Sequence, residues 1–405
     1  MKVSIDTRTL HPGDVYYALR GERLDGHDFV VAALQAGAAA AVIAAEELAR
    51  FPVSLHSRLR PVADPLASLQ ALAREHRRAW GGPLVAITGS AGKTTTKEMT
   101  AAVLATKLRV MKSPGNRNNH IGLPLALLDL APEHEVAVVE MGMNHAGEIA
   151  ALAAIALPDV GVFTNVGSAH LAHFDSIEGI AAAKRELALA IPPDGALVLN
   201  RDDARVASFA QGFAGKVAYY AAATFTTPLL YPGTHNRANA AAAVATGELF
   251  SVAPAAAAAA LAGLEPPPGR GQIITTGGMT FIHDAYNANP EAMAHMLAVL
   301  AATPGQRHVA VLGEMRELGQ AAPRLHRELG AAAAHVDALW AIGGDAAFLI
   351  EGARAAGFRG LAHFAPSAAE AAESLRAYLR PGDAVLFKGS RAVHLENLIA
   401  VLMPG

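Results

Sequence analysis

Residues 84–96, LVAITGSAGKTTT, restrict this chain to a small set of folds. Leu84 to Thr88 is a short apolar run of the kind a buried parallel strand requires. Gly89-Ser90-Ala91-Gly92 then turns sharply, and KEMTAAVLATKL continues as a helix former. Strand, glycine turn, lysine with hydroxyl, then helix is an arrangement that cradles phosphate. The glycines let backbone N–H groups face the anion, and the helix N-terminus adds partial positive charge. In such a loop Lys93 is expected to reach the terminal phosphates and the Thr94 hydroxyl to ligate magnesium. The spacing is shorter than G-x-x-x-x-G-K-S/T, since Ile87 stands where the first glycine would be.

The stretches around this loop extend the α/β pattern. VAVVE (136–140) and VGVFTNV (160–166) are further continuous apolar runs, as buried parallel strands need. Ligands of such sheets collect at the carboxyl ends of strands. Glu140 closes the second run, and Thr164 and Asn165 close the third, so Glu140 is placed to hold a magnesium bridging two phosphates. The loop SPGNRNNHIGLP (113–124) is too specific in composition for a linker. GSAHLAHF follows the third strand, and its His170 is a candidate ligand. IEGIAAAKRELALAI reads as a helix, on which Lys184 would ordinarily be solvated. GTHNRAN (233–239) opens another helix, and Thr234, His235, Asn236 and Asn239 cluster there; N-capping explains one of them, not the set. Asparagine is otherwise scarce, and its concentration in these polar stretches marks sites of specific hydrogen bonding.

The flanks complete the organisation. Residues 1–80 mix short strands and turns, with Arg8, Arg20, Arg23 and His27 near turns where an anion could bind. AREHRRAWGGP reads as a charged link to the next unit, 81–268. EPPPGR (265–270) is a stiff linker and the best boundary in the chain. In 269–405, QIITTGGMTFIHDAY reads as a hairpin with a Gly-Gly turn. VAVLG, ALWAIG and AVLFKG alternate with helices, as in a doubly wound sheet. The absence of cysteine excludes disulfides, thiolate catalysis and cysteine-ligated metal centres, and suits a cytoplasmic protein. A net charge of −3 provides no general attraction for nucleic acid. No apolar run reaches the ~18 residues of a membrane span, and MKVSIDTRTL lacks the apolar core of a secretion signal.

Taken in order, TGSAGKTT, GNRNNHIGLPLALL, VVEMGMNHAGEI, TNVGSAHLAHF, AAAKREL, GTHNRAN, PPPGR, HDAYNANP and VLFKGSR resemble the Mur ligases of peptidoglycan synthesis over nearly the whole chain. The resemblance implies three α/β domains: an N-terminal UDP-substrate-binding unit, a central ATPase unit on a parallel sheet, and a C-terminal Rossmann-like unit. It implies an ADP-forming carbon–nitrogen ligase, acting as a monomer, that joins D-alanyl-D-alanine to UDP-N-acetylmuramoyl-tripeptide through an acyl phosphate. ATP and two magnesium ions would be needed. Gly89, Ser90, Ala91, Gly92, Lys93, Thr94 and Thr95 match the ATP loop. Thr94 and Glu140 match ligands of the first magnesium, and His170 a ligand of the second. Lys184 matches a lysine that this family carbamylates. Asn236 and Asn239 match contacts to adenine, and Arg270 and Asp284 contacts to ribose and phosphates. Thr7, Arg8, Asp25 and His27 are assigned to the UDP substrate, and Tyr286, Asn287, Lys388 and Arg391 to the dipeptide side.

Two departures stand out: Thr7 replaces a usual serine, and 200–233 is short for the family. A sister ligase adding the third amino acid would carry a D-N-P-R string, which is missing here. Folylpolyglutamate synthase would lack a unit like 1–78. A nucleotide-dependent switch would not need His170, Lys184 and Asp284 together.

Overall fold

The computed structural model describes residues 2–403 except His170. Three sheets carry the chain. The first is four parallel strands in the order β1 (Val3–Ser4), β2 (Val15–Tyr17), β3 (Ala40–Ala44), β4 (Leu59–Val62). The second contains β5 (Leu84–Thr88), β6 (Val110–Lys112), β7 (Val136–Glu140), β8 (Val160–Phe163), β9 (Ala196–Asn200) and β10 (Lys216–Tyr220). Its order is β10-β9-β8-β5-β7-β6, and every pairing is parallel. β5, β7, β8 and β9 are buried along their whole length, which is why their sequences show no alternation.

The order of this sheet decides where the site lies. From β5 the chain runs out to β6 and back to β7 on one side, then crosses to β8 on the other. β5 is therefore the switch strand, and a crevice opens at the carboxyl ends of β7, β5 and β8. Those ends carry Glu140, the glycine turn and Thr164.

The third sheet contains β11 (Gln272–Thr276), β12 (Met279–His283), β13 (Arg307–Gly313), β14 (Ala338–Ile342), β15 (Leu361–Ala365) and β16 (Asp383–Lys388), in the order β11-β12-β16-β13-β14-β15. β11 and β12 form the expected hairpin, with Gly277 and Gly278 both at positive φ in its turn. On one face, helices Ala322–Ala332 and Ala347–Ala355 meet backbone to backbone. A Cβ on Gly330 would lie 2.0 Å from the Leu349 carbonyl oxygen, and one on Gly352 would lie 1.9 Å from that of Arg327. Gly330→Ala must push these helices apart, at a cost of about 2–3 kcal/mol. Thermal unfolding is expected to show a lower melting temperature for this variant.

The AREHRRAW stretch is helical rather than a link. It forms the second half of helix Pro65–Trp80, capped by Asp64 and ended by Gly81 in the left-handed region. Leu69, Ala73 and Arg77 recur at every fourth residue and share its buried face. Arg77 donates to the carbonyls of Ala156 and Leu157 and to Asp159 in the central unit. Its charge thus serves as an anchor and is not displayed to solvent. No helix among the described residues is long and apolar enough to cross a membrane.

Candidate active site

A cleft of ≈ 1390 Å³ lies between the central and C-terminal units, over the carboxyl ends of β5, β7 and β8. Its floor is the glycine turn. Gly89 leaves no room for a side chain, since a Cβ would fall 1.8 Å from Thr164 Oγ1. The turn is braced from β8. Ser90 N–H donates to the Asn165 carbonyl, Ala91 N–H donates to Asn165 Oδ1, and Thr164 Oγ1 donates to the Ala91 carbonyl. Thr164 and Asn165 therefore shape the loop, a role that their place at a strand end did not specify.

Helix Lys93–Ala105 starts at Gly92, whose φ is +82°. A Cβ there would meet Asn239 Oδ1 at 2.6 Å, so the second glycine is needed for the close approach of helix Thr234–Leu249. Asn239 accepts from Thr96 Oγ1 and donates to Asn236 Oδ1, while Asn236 donates to the Pro232 carbonyl. This buried chain locks the two helix starts together along the wall of the cleft. Lys93 Nζ lies over the turn, donating to the Gly89 carbonyl at 2.8 Å. Desolvation lowers its pKa, with Glu140 opposing the shift.

Glu140 is 0 % exposed. Thr94 Oγ1 donates to its Oε2 at 2.7 Å, and Asn118 Nδ2 donates to its Oε1 at 2.9 Å. A fully buried carboxylate with a hydroxyl and an amide as hydrogen-bond donors needs a cation nearby. The donor atoms here, a hydroxyl and a carboxylate, are the hard oxygens that magnesium takes. Asn118 comes from the polar 113–124 loop, whose composition flagged the segment but not the residue.

Lys184 departs most from its ordinary setting. It sits on helix Ile177–Ala190 yet is only 2 % exposed. Its ammonium has no hydrogen-bond or ion-pair partner among the described residues. Burial, and secondarily the charge of Lys93, hold its pKa well below 10.5. Burial therefore biases this group toward its neutral amine. His170, placed in the same constellation by sequence, lies outside the described residues.

The C-terminal wall comes from the 284–289 turn and the strand end at Lys388. Lys388 Nζ donates to Asp284 Oδ2 at 2.5 Å and to the Asn287 carbonyl at 2.9 Å. Both charges are thereby engaged in holding the turn. Arg270 and Arg391 lie over the Tyr286 ring, at 4.0 and 5.6 Å from its centroid.

Comparison with known proteins identifies the family. Residues 2–104 match the Mur ligase family catalytic domain, 87–227 the Mur ligase middle domain, and 269–391 the Mur ligase glutamate ligase domain. The UDP-N-acetylmuramoyl-tripeptide–D-alanyl-D-alanine ligase of Synechocystis sp. is 37% identical, covering 99% of this chain and 91% of its own. The chain belongs to the Mur ligase family. Among solved structures, MurF from Acinetobacter baumannii superposes with a TM-score of 0.88 at 31% identity, covering 99% of this chain and 93% of its own. MurF ligase from Thermotoga maritima in complex with ADP gives 0.87 at 30%, covering 99% and 96%.

Within this Mur ligase the N-terminal candidates divide. Arg8 is exposed and paired with Asp6, which holds the Asp6 carboxyl down at about 2. Asp25 caps the turn at Gly26–Phe29, accepting from His27 N–H. His27 is 2 % exposed, with both ring nitrogens engaged. The Ala44 amide donates to Nε2, so Nδ1 carries the proton and donates to Asp25 at 2.6 Å. The His27 ring is a brace for Asp25 and has no free nitrogen for a ligand.

Two contacts of the C-terminal unit grip the loop after β8. Glu291 Oε1 accepts from Ser168 N–H at 2.8 Å and Oε2 accepts from Ser168 Oγ at 3.0 Å. Ala172 N–H donates to the Glu317 carbonyl at 3.0 Å, with Glu317 at a positive φ of 63°. Neither contact carries a motif visible in the sequence, because each joins segments more than a hundred residues apart. Glu291→Ala is expected to loosen domain closure and to lower kcat about tenfold, the low end of a charge-assisted hydrogen bond. Small-angle scattering of the nucleotide-bound variant should then give a larger radius of gyration than wild type.

Proposed function

We propose that this chain joins the amine of D-alanyl-D-alanine to the terminal carboxylate of UDP-N-acetylmuramoyl-tripeptide, converting ATP to ADP and phosphate. The observation that carries the reading is the Thr94–Glu140 pair beside Lys93 on the floor of the cleft, in a chain whose full-length relatives bear that ligase name. It would act as a monomer in the cytoplasm, with residues 1–80 taking the UDP moiety, 81–268 the ATP and 269–405 the dipeptide.

A carboxylate is a poor acyl donor because its leaving group would be oxide. Its oxygen therefore attacks the γ-phosphorus of ATP, the bond to ADP breaks, and an acyl phosphate results. The dipeptide nitrogen adds to the acyl carbon. The tetrahedral intermediate then expels phosphate, and the amine proton leaves to solvent. Several anionic groups converge here, so the site must supply positive charge. The backbone amides of Gly89–Thr95, the helix N-terminus and Lys93 receive the β- and γ-phosphates. Thr94 and Glu140 would hold one magnesium and His170 a second, which together supply Lewis-acid charge to the phosphates and the substrate carboxylate.

Lys184 would add carbon dioxide through its neutral amine: Nζ bonds to the carbon, a proton is lost, and a carbamate anion results. That anion would orient the second magnesium. Asn236 and Asn239 would border adenine, and Arg270 and Asp284 would approach the ribose and phosphates. Tyr286, Asn287 and Arg391 would face the dipeptide, with Lys388 fixing their turn. Thr7, Arg8 and Asp25 would meet the UDP moiety, with His27 behind Asp25. Domain closure keeps water from the acyl phosphate.

Phosphate release from ATP tests the reading directly. With UDP-muramoyl-tripeptide present, D-alanyl-D-alanine should stimulate release and single amino acids should not. Stimulation by a single amino acid alone would transfer the chain to the third-residue ligases.

A further inference from the structure

Lys97 is a buried lysine to which the proposed ligation assigns no role. It sits one helical turn after Lys93 and is 0 % exposed. Its Nζ donates to the carbonyls of Ser113 and Gly115, each at 2.6 Å, and lies 3.3 Å from Glu98 Oε1. Glu98 also pairs with Lys112, so the buried charge is compensated.

The two carbonyls mark the point where the backbone loses its sheet partners. At Ser113 the chain makes its last sheet-like bond, N–H to the Val138 carbonyl, and then leaves the sheet. Gly115 turns at a positive φ of 55°. No ladder can hold this backbone, and Lys97 is the donor that satisfies it. Three residues beyond Gly115, Asn118 donates to Glu140 Oε1, and its carbonyl accepts from Gly142 N–H at 2.9 Å. The contacts close a ring. One turn of the loop helix holds Oε2 of Glu140 directly through Thr94, and holds Oε1 at second hand through Lys97, the 113–118 backbone and Asn118.

We propose that Lys97 is a positioning residue for the magnesium site: its grip on Ser113 and Gly115 places Asn118, which aims the Glu140 carboxylate. This rests on the reading that Glu140 holds magnesium. A purely structural brace would stabilise the fold without distinguishing metal-bound from metal-free nucleotide. The phosphate loop is held separately, by Thr164 and Asn165, so the two roles can be separated by experiment.

The test is equilibrium binding of a fluorescent ADP analogue to the full chain, with EDTA and across a magnesium titration. Lys97→Met is expected to raise the half-saturating magnesium concentration about tenfold or more, the usual range for loss of a group that orients a ligand. Metal-free affinity should stay within about threefold of wild type, since the amides of the glycine turn are intact. Adding Asn118→Ala to Lys97→Met should cause little further rise, because both changes break one path. Should Lys97→Met fail to fold, Lys97→Gln retains an amide donor and carries the same test with a smaller shift. An unchanged magnesium dependence, an equal loss in EDTA, or additive effects with Asn118→Ala would overturn the proposal. If wild type itself showed no magnesium effect on nucleotide binding, the reading of Glu140 would fail instead.

Discussion

Lys184→Ala is expected to lower kcat for ligation by about 10²–10³-fold, the scale of losing one preorganised electrostatic group. Nucleotide affinity should change by no more than a few-fold, because Lys184 makes no hydrogen bond to the phosphate loop. Near-normal turnover would remove Lys184 from the reaction. The pKa makes a second, opposite-signed expectation. Burial holds the folded-state value well below 10.5, so the unfolded chain binds more protons than the folded one. Below 10.5 the lysine therefore subtracts stability, and the deficit grows as pH falls toward the folded value. Lys184→Met should raise the melting temperature at neutral pH in carbon-dioxide-free buffer. The gain should shrink as pH approaches 10.5, and also when bicarbonate is added to wild type. A variant both more stable and inactive is the signature of a strained functional group. A lysine free of this desolvation penalty would melt no lower than methionine at any pH.

Glu140→Gln should lower kcat/KM by about 10²–10³-fold and raise the magnesium requirement. The change keeps volume and removes charge. Its amide can still accept from one donor, and the Thr94 hydroxyl can rotate to suit the other. Isothermal titration of magnesium into the ADP complex would measure the loss. An unaltered titration would dissociate Glu140 from the metal.

Much of this site could be read from local sequence, and the reason is visible in the elements. The glycine turn, Lys93 and Thr94 lie within a few residues of one another, so their geometry follows from one strand-to-helix connection. Glu140 ends an apolar run, and the end of a buried parallel strand has only one place to be. The polar loops were marked by composition, but their contacts were not: Asn118 reaching Glu140, and Asn165 bracing Ala91, join separate strands of the sheet. AREHRRAW reads as a charged link because its charges are dense. One of them, Arg77, turned out to lie on the buried face of a helix.

Periodicity, turn residues and strand-end chemistry thus made the α/β class, the glycine turn and the strand-end position of Glu140 readable from the chain alone, since each depends on neighbours close in sequence. The burial of Lys184, Lys97 and His27, and the grip of Glu291 on Ser168, are settled only when helices and units pack. A lysine on a helix has the same local preferences whether it faces water or a core. Its charge, its partners and therefore its chemistry are decided by which surface is laid against it.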